Sequence, residues 1–385
     1  MKLKYFILLL IILLSSFLRL YKINSVPPSA SLDEATIGWN AYSILNTGKD
    51  EYGYKFPILL RAYDDWRPAL YVYTVIPFVK IFGLNILSVR LPSAIFSFLT
   101  IVTSYFLVKN LFIKYKYSEH IALISTFLLG ISPWNIYISR LGHEANPGLF
   151  FAVLGITLFI VFLKNPEKKW SIILSFISFS FALYTYQSEK IFVPLILLTF
   201  FILFYKTLIK FKKLTLLAIT VFFILSVPII SVSFSKDALV RLKGTSAFDI
   251  NQPIYTQNFI KLQEAKKKGD PLGQVVFQRK ITDLKIFLSQ YFSHFNPYWL
   301  FGNSGSDSFK ALKVGLFNLW VLPFMVAGIY LLFTKHKDNR IKYPLFMWVL
   351  ISFLPSAITT GAPHAIRSYN LLPAPQILAA FGIVL

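Results

Sequence analysis

Apolar residues in this chain fall in long blocks separated by short polar stretches, with no alternation of the kind that marks half-buried strands. Blocks near residues 5–21, 90–108, 119–134, 147–163, 171–187, 191–205, 214–233, 313–333, 343–358 and 369–385 approach the length at which a helix crosses a bilayer, about 17–25 residues. They predict an all-α polytopic membrane protein. One further block, Pro68 to Gly83, contains Pro77 and Lys80 and would extend only about 24 Å as a helix. Whether it crosses sets the sidedness of every later loop.

The loop charges decide that question. Lys109, Lys114 and Lys116, then Lys164, Lys168 and Lys169, then Lys206, Lys210, Lys212 and Lys213, and finally Lys335, Lys337, Arg340 and Lys342 fall in alternate loops. The intervening short loops hold only Arg140, Lys190 and Arg367. The positive-inside rule places the lysine-rich set, with Lys2 and Lys4, in the cytoplasm. That parity requires 68–83 to lie in the interface rather than cross. Residues 22–89 then form one large outer loop carrying interfacial helices, and 234–312 form a long second one. Lys2 and Lys4 precede an apolar run with no small-x-small cleavage site, and Arg19 and Lys22 flank it, which predicts an uncleaved first span. The last run, 376–385, has no polar flank, and this predicts further sequence beyond Leu385.

Composition fits a membrane class: 56% of the 385 residues are hydrophobic and 17% aromatic. Mean hydropathy is +0.60. The net charge of +22 arises from 39 basic against 17 acidic residues. These charges sit between apolar blocks and form no basic stripe interleaved with aromatics, which argues against nucleic acid and for contact with membrane lipids. There is no cysteine, so thiolate chemistry, disulfides and Cys-ligated metals are excluded.

Candidate chemistry collects on the outer face. Asp33 and Glu34 precede Ala35–Leu45, where apolar positions allow an amphipathic helix. They are either acids favourably placed at a helix N-terminus or a general base with a neighbouring carboxylate. Asp64, Asp65, Trp66 and Arg67 form either a capping turn or part of an acceptor or sugar pocket. Arg140, His143 and Glu144 lie at a span boundary, as a helix cap or part of a site. His143 and Glu144 alone are too few for a metal centre, so no metal ligand is assigned. His364 and Arg367 open the last block, where Arg367 either reaches to lipid headgroups or grips a phosphate.

Leu32-Asp33-Glu34, Trp66-Arg67-Pro68-Ala69-Leu70, Phe82-Gly83 and Val89-Arg90-Leu91-Pro92-Ser93-Ala94 follow one another in an order that resembles the protein mannosyltransferase and lipid A aminoarabinose transferase group. Ile138-Ser139-Arg140 with Glu144, and His364 to Arg367 before Leu372-Pro373, resemble later signatures of the same group. These are integral-membrane glycosyltransferases of the GT-C class. The resemblance implies a single transmembrane glycosyltransferase domain over 1–385 in a cell (plasma) membrane, with a cytoplasmic N-terminus and an extracytoplasmic active site. It implies a polyprenyl-phosphate-linked sugar as donor, a glycan, lipid or protein acceptor, and inversion at the anomeric carbon. Asp33 would deprotonate the acceptor, and Glu34 would act as its partner, with the base role open between them. Arg90 or Arg140 would hold the carboxylates. Arg367, helped by His364 or Lys190, would steady the departing phosphate. No cofactor is required by this reading, and a divalent metal is left open. A transporter or flippase for a lipid-linked or anionic substrate, and a non-catalytic protein that binds lipid-linked sugar, are the alternatives from other classes.

Overall fold

The computed structural model describes residues 2–63, 65–235, 244–302, 309–311, 313–334 and 338–385. The chain folds as a helical bundle. Five helices are long and apolar enough to cross a membrane among the described residues: α1 (Lys2–Leu20), α4 (Ile86–Leu111), α7 (Ala145–Lys164), α9 (Glu189–Lys210) and α10 (Lys212–Ser233). A sixth is broken. The block expected over 119–134 is α5 (Ser118–Gly130) followed by α6 (Pro133–Ser139), bent by 55°. The break falls where Ser132 is extended and Pro133 brings no N–H, and the Trp134 N–H is taken by the Leu316 carbonyl at 3.2 Å.

The remaining blocks form shorter helices than their hydropathy predicts: α8 (Lys169–Leu183), α15 (Val321–Thr334), α16 (Asn339–Ser352) and α18 (Ala374–Val384). Between 234 and 312 lie α11 (Pro253–Lys268), α12 (Pro271–Val276), α13 (Arg279–Ser293) and α14 (Pro297–Phe301). The four-residue α17 (Leu354–Ala357) follows α16. Helices α15 and α18 cross at Gly328 and Gly382. A Cβ on Gly328 would lie 1.8 Å from the Leu378 carbonyl, and one on Gly382 would lie 2.1 Å from that of Phe324, so only glycine permits this approach.

The first loop carries its own small core. Helix α2 (Leu32–Thr47) packs on α3 (Leu70–Phe82) through Ile37, Ala41 and Ile44 against Val72, Val75 and Val79. Between them runs a hairpin that the apolar pattern does not predict, β1 (Leu59–Ala62) and β2 (Asp65–Pro68), with Leu60 opposite Arg67. Both halves of α3 meet the first turn of α4: the Tyr71 hydroxyl donates to the Val89 carbonyl at 2.6 Å, and the Ser88 hydroxyl donates to that of Phe78 at 3.3 Å. Helix α3 therefore lies across the end of α4 rather than alongside it. After α10 the chain is stitched back to the loop at 358–360, where the Ala247 N–H donates to the Ile358 carbonyl and the Thr360 N–H to that of Thr245.

Candidate active site

The two adjacent acids begin α2 and meet different fates. Ser31 caps the helix, its hydroxyl accepting from the Glu34 N–H while the Glu34 carboxylate accepts from the Ser31 N–H, a reciprocal capping box. The same carboxylate takes a two-pronged contact from Arg90, Nε to Oε1 at 2.6 Å and Nη2 to Oε2 at 3.1 Å, and the Gly142 N–H at 2.9 Å. Arg90 is fully buried, and its remaining donors reach the carbonyls of Ile23, Pro27 and Ser29. Burial pushes the Glu34 carboxyl up. The hydrogen bonds from Arg90, Ser31 and Gly142 and the Arg90 charge outweigh it, holding the group below its ordinary value. Glu34 is thus a saturated anion tying α2, α4, the 23–29 segment and residue 142 together.

Asp33 points the other way. Its Oδ1 accepts from Arg67 Nη2 at 2.8 Å, and the side chain keeps 35% of its surface exposed. Arg67 is fixed by the hairpin, which is itself docked on the turn between α8 and α9: Gln187 Nε2 donates to the Trp66 carbonyl at 3.0 Å and the Leu70 N–H to that of Tyr184 at 3.2 Å. Trp66 packs edge-on against Tyr54. Asp64 and the Asp65 side chain lie outside the described residues.

Gln187 also lines a cavity of about 790 Å³ bounded by α8, α9 and α10. Its walls are mainly aliphatic and aromatic, and Lys190 and Arg367 line it together with Thr245 and Thr359. Arg367 Nη1 donates to Thr359 Oγ1 at 2.8 Å and to the Thr360 carbonyl at 2.6 Å, which orients its guanidinium. The structure therefore brings Lys190 and Arg367 together and joins them through Gln187 and the hairpin to Asp33 and Arg67. A cation pair ending an apolar cavity suits a lipid carrying an anionic head.

The fold has solved counterparts. The family model for dolichyl-phosphate-mannose-protein mannosyltransferase matches residues 67–231, from Arg67 into α10. The oligosaccharyltransferase AglB from Archaeoglobus fulgidus, in complex with an inhibitory peptide and a dolichol-phosphate, superposes with a TM-score of 0.61 over 100% of this chain and 50% of its own, at 16% identity. ArnT from Cupriavidus metallidurans bound to undecaprenyl phosphate superposes with a TM-score of 0.54 over 99% of this chain and 60% of its own, at 14% identity. The fold is that of the GT-C glycosyltransferases. The GT-C class expected from the motifs is the fold observed, and the chain spans about half to three-fifths of the length of these relatives. No curated protein sequence matches it.

Within this GT-C fold, other expected site residues meet partners of their own. Arg140 grips carbonyls at and after the end of α1, those of Leu18, Arg19, Tyr21 and Val26, so it anchors the first helix and does not hold a carboxylate. His143 Nδ1 accepts the Ala145 N–H at 3.0 Å and lies 3.7 Å from Glu144 Oε2, while its ring meets Tyr186 and Phe309 edge-on. His364 stacks on the same Phe309. Among the described residues, no group of three His, Asp or Glu side chains could hold a metal ion, and no step below is routed through one.

The sequence reading missed the buried polar frame behind Arg367. Tyr369 accepts from Asn135 Nδ2 at 2.7 Å and donates to Asn146 Oδ1 at 2.9 Å; Asn135 Oδ1 in turn accepts from Ser97 and Arg19, and Asn146 donates to Ser93. Next in the chain, Asn370 Nδ2 donates to the buried Glu189 at 2.7 Å, and its carbonyl accepts the Trp348 indole N–H. The only hint in the sequence is that single Asn, Glu and Tyr residues interrupt otherwise apolar runs.

Proposed function

We propose that this GT-C protein transfers a sugar from a polyprenyl-phosphate donor to an acceptor hydroxyl on the extracytoplasmic side of a cell membrane. The observation that carries the reading is the apolar cavity lined by Lys190 and Arg367 and joined to the Asp33–Arg67 pair. The lysine-rich loops, together with α3 lying across the first turn of α4, support reading the 22–89 segment as outward-facing. Nucleotide sugars are made in the cytoplasm, so an outward site needs a donor already carried across on lipid.

Asp33 is the better base of the two acids, because every approach to Glu34 is already taken by a donor. Asp33 removes the proton from the acceptor hydroxyl, and the oxygen attacks the anomeric carbon from the face opposite the phosphate. The new glycosidic bond forms as the bond from carbon to phosphate oxygen breaks, with inversion. The electron pair leaves on the lipid phosphate, where Arg367 and Lys190 neutralise the developing charge. Arg67 orients Asp33 through the 2.8 Å contact to its Oδ1. His143 and His364, which both meet Phe309, and Glu144 beside His143 are proposed to border the sugar or acceptor.

The decisive experiment offers the purified full-length protein radiolabelled polyprenyl-phosphate sugars with glycan, lipid and peptide acceptors, beside an Asp33→Asn variant. Release of polyprenyl phosphate that vanishes in the variant while donor binding persists supports the transferase and its base. Donor binding without transfer by either protein across the panel points instead to a flippase or a lipid-linked-sugar binding protein.

A further inference from the structure

Consecutive antiparallel helices usually pack along their length, but α9 and α10 barely touch. Helix α10 leans on α8, to which it is hydrogen-bonded: the Tyr184 hydroxyl donates to the Leu225 carbonyl at 2.6 Å, and Ser180 meets Ser226 and the Phe222 carbonyl at 3.3 Å each. The seam left open between α9 and α10 holds a second cavity, of about 480 Å³, walled by Tyr205, Ile209 and Leu216. Phe201 and Ile219 line both this cavity and the larger one with Lys190 and Arg367. The two cavities therefore adjoin at Phe201 and Ile219 along one seam. Its lining runs from Lys190 in the first turn of α9 to Ile209 in the last, past a kink at the non-helical Phe204; measured along the helix this is about 28 Å, close to the hydrocarbon thickness of a bilayer, about 30 Å.

We infer that this full-depth seam reads the length of the donor's lipid tail: a polyprenyl chain whose phosphate sits at Lys190 and Arg367 passes Phe201 and Ile219 and lies against Ile209 and Leu216. The inference rests on the donor proposed above. A phospholipid entering from the Lys212–Lys213 end is the competing occupant. One leaflet is only about half that thickness, so a phospholipid would fill the inner reach alone and leave the tail of a bound donor no continuation. Because tail and lipid are equally apolar, the gain comes from packing in the seam rather than from escape from water.

The test measures binding of undecaprenyl phosphate and farnesyl phosphate, which share a head and differ in tail length, by native mass spectrometry of the full-length protein in detergent. Wild type should hold the long-tailed phosphate on the order of tenfold more tightly. Ile209→Trp and Leu216→Trp, at positions 64% and 65% exposed, plug the inner reach without disturbing the core. They should erase that preference while leaving farnesyl phosphate unchanged. Leu217→Trp, on the lipid face outside the seam, should change neither. Equal affinities in wild type, a preference that survives both plugs, or plugs that only displace co-purifying phospholipid would each overturn the inference while sparing the donor site. Failure of both phosphates to bind removes the donor reading and this inference with it.

Discussion

Asp33 and Glu34 are neighbours in sequence and each meets an arginine, yet the two pairs are built for different work. Glu34–Arg90 is closed: both side chains are buried, and every oxygen and donor named above is matched. Asp33–Arg67 is more open: the two meet at 2.8 Å while the Asp33 side chain keeps 35% of its surface exposed, beside the turn that borders the large cavity. An anion buried among donors on every side is a poor proton acceptor, whereas a carboxylate that keeps a third of its surface in solvent is reachable by an incoming hydroxyl. The lesson is that two adjacent acids at a helix start can meet opposite environments, one locked into the frame and the other left at its edge, where the proposed chemistry needs it.

Four outcomes sharpen or break this contrast. Asp33→Asn should lower transfer by about 10²–10⁴-fold, the range for a lost general base, with unchanged thermal unfolding in detergent; an intact rate would move the base elsewhere. Arg90→Ala leaves Glu34 buried without its cation and should destabilise the protein by about 3–5 kcal/mol, seen as a lower unfolding temperature and poor yield. Arg67→Lys keeps the charge but loses the planar fork, and turnover should fall about tenfold, the scale of one charge-assisted hydrogen bond, with little change in stability.

The smallest effect is in pH. The folded pKa of Glu34 lies below its ordinary value of 4.5, so its contribution to stability is complete above that value and is lost as pH falls through the lowered one. Thermal melts taken below about pH 4.5 should show this acid loss in wild type, and Glu34→Gln should lack that component.

Much of the bundle is legible in the residue pattern because crossing a bilayer imposes a length and a polarity on each helix. The start of α2 is equally legible, since Ser31 and Glu34 have the spacing of a capping box. The hairpin at 59–68 is not: Leu59-Leu60-Arg61-Ala62 does not alternate, and its strands are held by docking on the α8–α9 turn. The break at Pro133 sits inside a run whose hydropathy reads as continuous. Partner choice is the least legible layer. Arg67 lies 34 positions from Asp33 and Arg90 lies 56 from Glu34, and nothing local says which arginine takes which acid. Arg140 carries the same charge from the same face and binds only carbonyls, a distinction made by the end of α1 lying beside it. Lys190 and Arg367 share a cavity only because the helices between them fold back.

The polar frame of Tyr369 also sets a timetable for biosynthesis. Arg19, Ser97, Asn135 and Asn146 all emerge from the ribosome long before the phenol that joins Asn135 to Asn146. Until then Asn135 Nδ2 and Asn146 Oδ1 lack the partner each takes in the finished fold, which lipid cannot supply. The nascent bundle therefore has to remain shielded, by the insertion machinery or by water at its core, until the last described segment arrives. Its closure coincides with the arrival of Arg367, so the frame and the proposed phosphate grip are completed by the same few residues.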